Sequence, residues 1–188
     1  MPYLWEIPDS YPASLIGDYD RSVSPDRFLL RKGEPVSIEL GVPVIKFAAS
    51  LSVLNKYACL PNSSMLPLVS EVFGRALMSL APKNIQLLKA KIQVRDGETD
   101  SFSVLNVTTK IMAIDKAQSR FSYIRDTQFI SSFERLEYLA ECLGSHMIAR
   151  DAEYLSHILV ADELVATFKH MKISTAGAAF LRTSEMSW

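Results

Sequence analysis

The stretch Ile85-Gln-Leu-Leu-Lys-Ala-Lys-Ile-Gln-Val-Arg-Asp-Gly-Glu-Thr-Asp-Ser-Phe-Ser-Val-Leu-Asn-Val-Thr-Thr-Lys-Ile-Met-Ala-Ile114 decides the fold class. From Ile85 to Arg95, the apolar residues Leu88, Ala90, Ile92 and Val94 alternate with Lys89, Lys91, Gln93 and Arg95. A period of two is the signature of a strand with one wet face. Asp96-Gly-Glu-Thr-Asp100 then reads as a turn, with Gly97 free to adopt positive φ. Residues 102–114 are β-branched and apolar on both faces, which predicts a strand central in its sheet. The two strands are expected to close an antiparallel hairpin.

Upstream of the hairpin, Ser70 is a favoured helix N-cap and Glu71 suits the positive end of a helix dipole. Val72, Phe73, Ala76, Leu77 and Leu80 recur at helical spacing until Pro82 stops the helix. Downstream, residues 115–119 read as a turn and residues 121–124 as a strand. Residues 133–143 carry a helical stripe (Phe133, Leu136, Ala140, Leu143), yet Gly144 also permits an extended segment, so both remain open. Ile158-Leu-Val160 is expected to run as a strand into a second helix capped by Asp162, with Leu164, Val165, Phe168 and Met171 on its apolar face.

Residues 1–64 differ in texture. All nine prolines fall at or before Pro82, and their spacing excludes long helices from this part. Short strands, possible edge strands, joined by loops are expected there. Helices do not alternate regularly with strands, so the sequence predicts an α+β protein. The expected architecture is a single domain over residues 1–188, a mostly antiparallel sheet with two amphipathic helices packed on it. Residues 1–64 form its loop-rich part and 65–188 its regular body.

Composition narrows the function classes. The chain has 188 residues, 48% hydrophobic and 22% charged, and its 20 Lys and Arg nearly cancel 21 Asp and Glu. A net charge of −1, with no basic cluster, gives no electrostatic footprint for nucleic acid. Apolar runs are too short to span a bilayer, which needs about 20 residues. Glu6, Pro8 and Asp9 interrupt any secretory core, and Cys59 and Cys142 are too few for a disulfide framework. A cytoplasmic, reduced protein is expected, with no membrane or nucleic-acid partner.

Glycines at 17, 33, 41, 74, 97, 144 and 177 stand singly, so no phosphate loop or dinucleotide fingerprint exists. Cys142 and His146, four residues apart, and His157 further on could serve as a metal site or a nucleophile with its base. That dispersed set defines one reading, a small cytoplasmic hydrolase or transferase. The bland reading is a buried thiol and surface imidazoles, and no catalytic, metal or cofactor site is assigned. Two acidic pairs, Asp18 with Asp20 and Glu98 with Asp100, together with Asp96, lie in loops or turns. Such residues are usually solvated, but an acidic loop can also dock a basic protein partner.

Phe102-Ser-Val-Leu-Asn-Val107, continuing through Ala113-Ile-Asp115 to Ser119, resembles immunity protein family 11 of bacterial polymorphic toxin systems. Members show an aromatic-x-x-Leu-Asn-Val strand followed by an Ile-Asp turn and a Ser. They share a Leu-Val-Ser-Glu helix start (here Leu68–Glu71) before an Ile-Gln-Leu strand (Ile85–Leu87). A later Glu-Leu helix start, within Val160–Leu164, agrees in order and spacing. The resemblance covers roughly residues 66–180. It implies a non-catalytic protein that binds and neutralises a cognate toxin, encoded next to it, and it favours an extended segment after residue 133. It also implies structural roles for Asn106, in a buried strand, and Asp115, closing a turn. Toxin contacts are expected from loops carrying Asp96, Glu98, Asp100, Asp18 and Asp20.

Overall fold

The computed structural model describes residues 1–127 and 129–183. In chain order its elements are β1 (Tyr3–Glu6), β2 (Asp18–Tyr19), β3 (Val44–Lys46), α1 (Leu51–Leu54), β4 (Cys59–Leu60), β5 (Leu68–Ser70) and α2 (Glu71–Leu80). The series continues with β6 (Ile85–Lys89), β7 (Lys91–Val94), β8 (Gly97–Thr99), β9 (Phe102–Val107), β10 (Lys110–Ile111) and β11 (Arg120–Tyr123). It closes with β12 (Ile130–Arg135), β13 (Ile148–Asp151), β14 (Ile158–Val160), α3 (Asp162–His170) and β15 (Ala179–Arg182). The class is α+β and most strand pairs are antiparallel. Besides α2 and α3, the described residues include the one-turn α1, which the sequence reading lacked.

The hairpin forms, but it is bent and shared between two sheets. β6 pairs with β9 from Ile85↔Val107 to Lys89↔Ser103, whereas β7 pairs with β8 from Ile92↔Thr99 to Val94↔Gly97. Between these runs the returning strand carries one extra residue, the mark of a β-bulge, which bends the ribbon. The turn is therefore Arg95-Asp96 alone, and Gly97–Thr99, expected in the turn, are strand. β9 is interior in the sheet β4-β5-β9-β6, as expected for residues buried on both faces. The expected strand over 102–114 ends at Val107, however. Thr108 N–H bonds the Asn84 carbonyl, and the chain then joins a different sheet as its edge strand β10. Met112 is 57% exposed there, so the two-sided burial stops with β9.

Sheet order explains the layering. The β4-β5-β9-β6 sheet turns Leu60, Leu68, Phe102 and Val104 toward Tyr19, Ile45 and Ile92 of a second sheet, β2-β3-β7-β8. Its other face gives Cys59, Val69, Ile85, Leu105 and Val107 to a core shared with Phe73 and Leu77 of α2 and with Leu164, Val165 and Phe168 of α3. Tyr3, Trp5, Ile148, Ile158 and Val160 of the five-stranded sheet β10-β13-β14-β1-β15 close that core. The reverse face of the five-stranded sheet packs Leu4, Ala149 and Leu159 on Ile114, Leu136, Tyr138 and Leu143. No helix among the described residues is long and apolar enough to cross a membrane.

Helix details correct the reading in two places. Ser70 caps α2 as expected, its hydroxyl accepting from the Phe73 N–H at 3.4 Å, but the buried face is Phe73, Gly74 and Leu77, and Val72 is 66% exposed. In α3 the N-cap is Ala161, without a side-chain bond. Asp162 instead occupies the first turn, where a carboxylate suits the dipole, and faces Arg182 at 3.4 Å and the N-terminal amine at 3.8 Å. Met171, expected on the apolar face, follows the helix and is exposed.

Residues 133–143 resolve as extended, then turning. Phe133 lies in β12, paired with β11, Tyr138 bridges Ile114, and residues 140–145 make turns with Gly144 at φ +53°. In the N-terminal part, β1 is an interior strand between β14 and β15 rather than an edge strand. Pro2 and Pro8 flank it without interrupting it, so every interior residue keeps its N–H donor.

Candidate functional site

The two acidic pairs meet on one sheet. β2 and β8 are the opposite edges of β2-β3-β7-β8, and the register runs Asp18↔Lys46, Lys46↔Gln93 and Gln93↔Glu98. These four positions therefore form one row on the wet face, while Tyr19, Ile45 and Ile92 point to the core. Residues some 80 positions apart in sequence thus share a surface.

That surface is partly self-neutralised. Lys46 Nζ is 2.7 Å from Asp20, and its bond, joined by Ser22, lowers the Asp20 pKa to about 2. Lys91 Nζ is 2.7 Å from Glu98, which also accepts from Gln93 at 3.0 Å; these bonds lower the Glu98 pKa. Asp96 is engaged differently: its Oδ1 accepts the Leu51 N–H at 3.0 Å and so caps α1. Asp18 accepts from Ser63 Oγ at 3.1 Å. Asp100 is exposed and has no ion pair among the described residues. Of the five acidic residues, Asp20 and Glu98 are thus held by lysines, and Asp18, Asp96 and Asp100 have no ion pair among the described residues.

His146 and His157 are held by different partners, while Cys142 packs in the cluster that holds Tyr138. His146 Nδ1 lies 2.9 Å from Asn84 Nδ2, whereas His157 Nδ1 lies 2.5 Å from the Tyr138 hydroxyl. Burial raises the Cys142 thiol to about 11, the opposite of what an activated nucleophile needs. Among the described residues, no group of three His, Cys, Asp or Glu is placed to hold a metal ion.

His157 instead lines a cleft of about 210 Å³ with Glu6, Met65, Tyr154 and Cys59. Burial lowers the imidazole to about 4, raises the Glu6 carboxyl and pushes the Cys59 thiol up to about 12. Its walls thus favour neutral groups. The Tyr154 ring stands edge-on to the imidazole at 4.5 Å. Nothing in the spacing of Glu6, Met65 and His157 marks this cleft in the sequence, because the end of β1, the segment before β5 and the turn before β14 build it together.

An exposed apolar tip was equally illegible. β11 and β12 form a two-stranded ribbon whose inner residues Phe121 and Phe133 pack on the core behind the five-stranded sheet. Beyond them Tyr123, Ile124 and Phe129 are 51%, 50% and 69% exposed. Phe129 also has its carbonyl bonded by the Ile124 N–H at 2.8 Å, which keeps the tip closed.

The motif residues themselves are structural. Asn106 Nδ2 donates to the Glu34 carbonyl at 2.9 Å and to Gln86 at 3.3 Å, while Gln86 holds both the N–H and carbonyl of Val36. Together they fasten residues 34–36 across β6 and β9. Asp115 accepts the N–H groups of Ala117 and Gln118, and Ser119 bridges to the backbone of Glu137. Comparison with known protein families and with curated protein sequences returns no match.

Proposed function

We propose that this chain is a single-domain, non-catalytic immunity protein of the polymorphic-toxin family it resembles, acting in the cytoplasm. In this reading it binds a protein toxin encoded beside it and blocks that toxin, with α2 and α3 packed on a mostly antiparallel sheet as its framework. The exposed tip of the β11–β12 ribbon carries the proposal. Exposed aromatic side chains, here Tyr123 and Phe129 on a backbone closed by its own hydrogen bond, are among the residue types enriched at protein interfaces. Asp18 and Asp100, at opposite edges of one sheet face, add the charge that steers a basic partner. The hydrogen bonds of Asn106 and Asp115 also support the reading, since the resemblance implies structural roles for both.

Co-expression with the adjacent open reading frame in a sensitive host tests it. The neighbour is expected to be toxic alone and harmless beside this protein. Phe129→Asp should weaken the complex at least about tenfold without lowering the melting temperature, and Asp18→Lys with Asp100→Lys should mainly slow association. A harmless neighbour, or one still toxic beside this protein, defeats the proposal.

The cleft beside His157 favours a second reading, a small hydrolase or transferase. It predicts that His157→Gln abolishes an activity and leaves toxin neutralisation intact.

A further inference from the structure

Arg150 is wholly removed from solvent on β13. Register sets it beside Lys110 of β10 and Ile158 of β14. Gly33, at φ +69°, crosses over its stem; a Cβ there would stand 3.5 Å from Arg150 Cδ and 2.6 Å from Lys110 Cγ. The segment around Gly33 therefore lies tightly on the Lys110 stem and in ordinary van der Waals contact with the arginine stem. Within the guanidinium, Nη1 donates to the Leu155 carbonyl at 2.7 Å. Nε and Nη2 have no hydrogen-bond partner among the described residues. Those two N–H groups lie in the guanidinium plane along one edge, and they are the fork that receives two oxygens of one carboxylate or phosphate.

A second arginine adds to the positive charge here. Arg31, half-buried, reaches over from the N-terminal part and donates to Ser156 Oγ at 2.6 Å. Burial and the repulsion of Arg31 lower the Arg150 pKa to about 10, which still leaves it a cation at neutral pH. No carboxylate answers it. Asp151 alternates to the opposite face and accepts the N–H groups of Glu153 and Tyr154. Glu34 is held by Lys110 at 2.7 Å. A buried cation without a counter-charge is costly, and buried polar groups left without partners are rare.

We propose that Arg150 and Arg31 form a site for a two-oxygen anion, a phosphate or a carboxylate, gripped side-on by Arg150 Nε and Nη2. The inference is independent of the toxin-binding proposal.

Thermal unfolding of the full chain, first unfolded and refolded in chloride, tests it at matched ionic strength with added phosphate or acetate. Wild type should melt roughly 5–10 °C higher at phosphate a hundredfold above its Kd. Arg150→Lys, which keeps the charge and loses the fork, should show only the small general effect of phosphate on folded proteins. A shift with phosphate alone assigns a phosphate ligand, and a matching shift with acetate assigns a carboxylate. Equal shifts in wild type and Arg150→Lys, or none in either, overturn the site. Should Arg150→Lys fail to fold, Arg31→Gln replaces it. Phosphorus-31 and carbon-13 line widths of the two anions over wild type then give a second readout, and lines that stay sharp for both overturn the proposal.

Discussion

His157 ties stability to pH through a single proton. Burial keeps its imidazole neutral in the folded chain, with the pKa lowered to about 4, while the unfolded chain titrates it near about 6.5. The unfolded state therefore takes the proton first. Above about pH 6.5 neither state is protonated and the residue contributes no slope; between there and about 4 stability falls, and below about 4 it levels off. The full loss is on the order of 3 kcal/mol. Urea unfolding at a series of pH values should show this fall in wild type and a flatter profile in His157→Gln. An unchanged profile would mean that the imidazole is not held neutral. Cys142 illustrates the opposite lesson at the same scale: spacing alone made it a possible nucleophile, but its half-buried position raises the thiol to about 11. Spacing is legible in a sequence, whereas desolvation depends on elements folded over the residue from elsewhere.

Elements were legible where periodicity was local. The alternation at Ile92 and Val94, and the Ser70 cap, both describe what formed. The bend at Ala90 and the stop at Val107 were not legible, since in each case the apolar run continues while the chain changes sheets. Residues 133–143 were ambiguous because the helical stripe of Phe133, Leu136, Ala140 and Leu143 stands against Gly144 and flanking strands that permit an extended segment, and pairing with β11 decided for the latter. Gly177 belongs to this scale as well. At φ +90° it lays the loop before β15 against β4, where the N–H groups of Ala58 and Cys59 both bond the Ala176 carbonyl at 2.8 and 2.9 Å. A Cβ at Gly177 would collide with the Cys59 carbonyl oxygen. Gly177→Ala should therefore cost about 3 kcal/mol or more in chemical denaturation, combining strain with a backbone clash. A cost below about 1 kcal/mol would show that the loop can shift without penalty.

Across the whole molecule, the candidate surface was the least legible part. Asp18 and Glu98 were each visible as acidic loop residues, but only the parallel pairing of β3 with β7 places them in one row. Long-range pairing also governs how the molecule assembles. β1 joins the five-stranded sheet between β14 and β15, and the Thr183 hydroxyl donates to the Pro2 carbonyl from 181 residues away. Folding dominated by such distant contacts is slow, in milliseconds to seconds or longer. Trp5, packed against Phe73 and Phe180, should report the last phase in stopped-flow refolding. If its fluorescence settles first, β1 docks before its partners, and that order is wrong. During synthesis the consequence is a matter of waiting. At about 5–20 residues per second, Tyr3-Leu-Trp5 leaves the ribosome roughly 10–35 seconds before the strand that will cover its far side exists. Until β14 is made, this apolar strand has neither of its two native partners, and it waits for most of the synthesis of the chain.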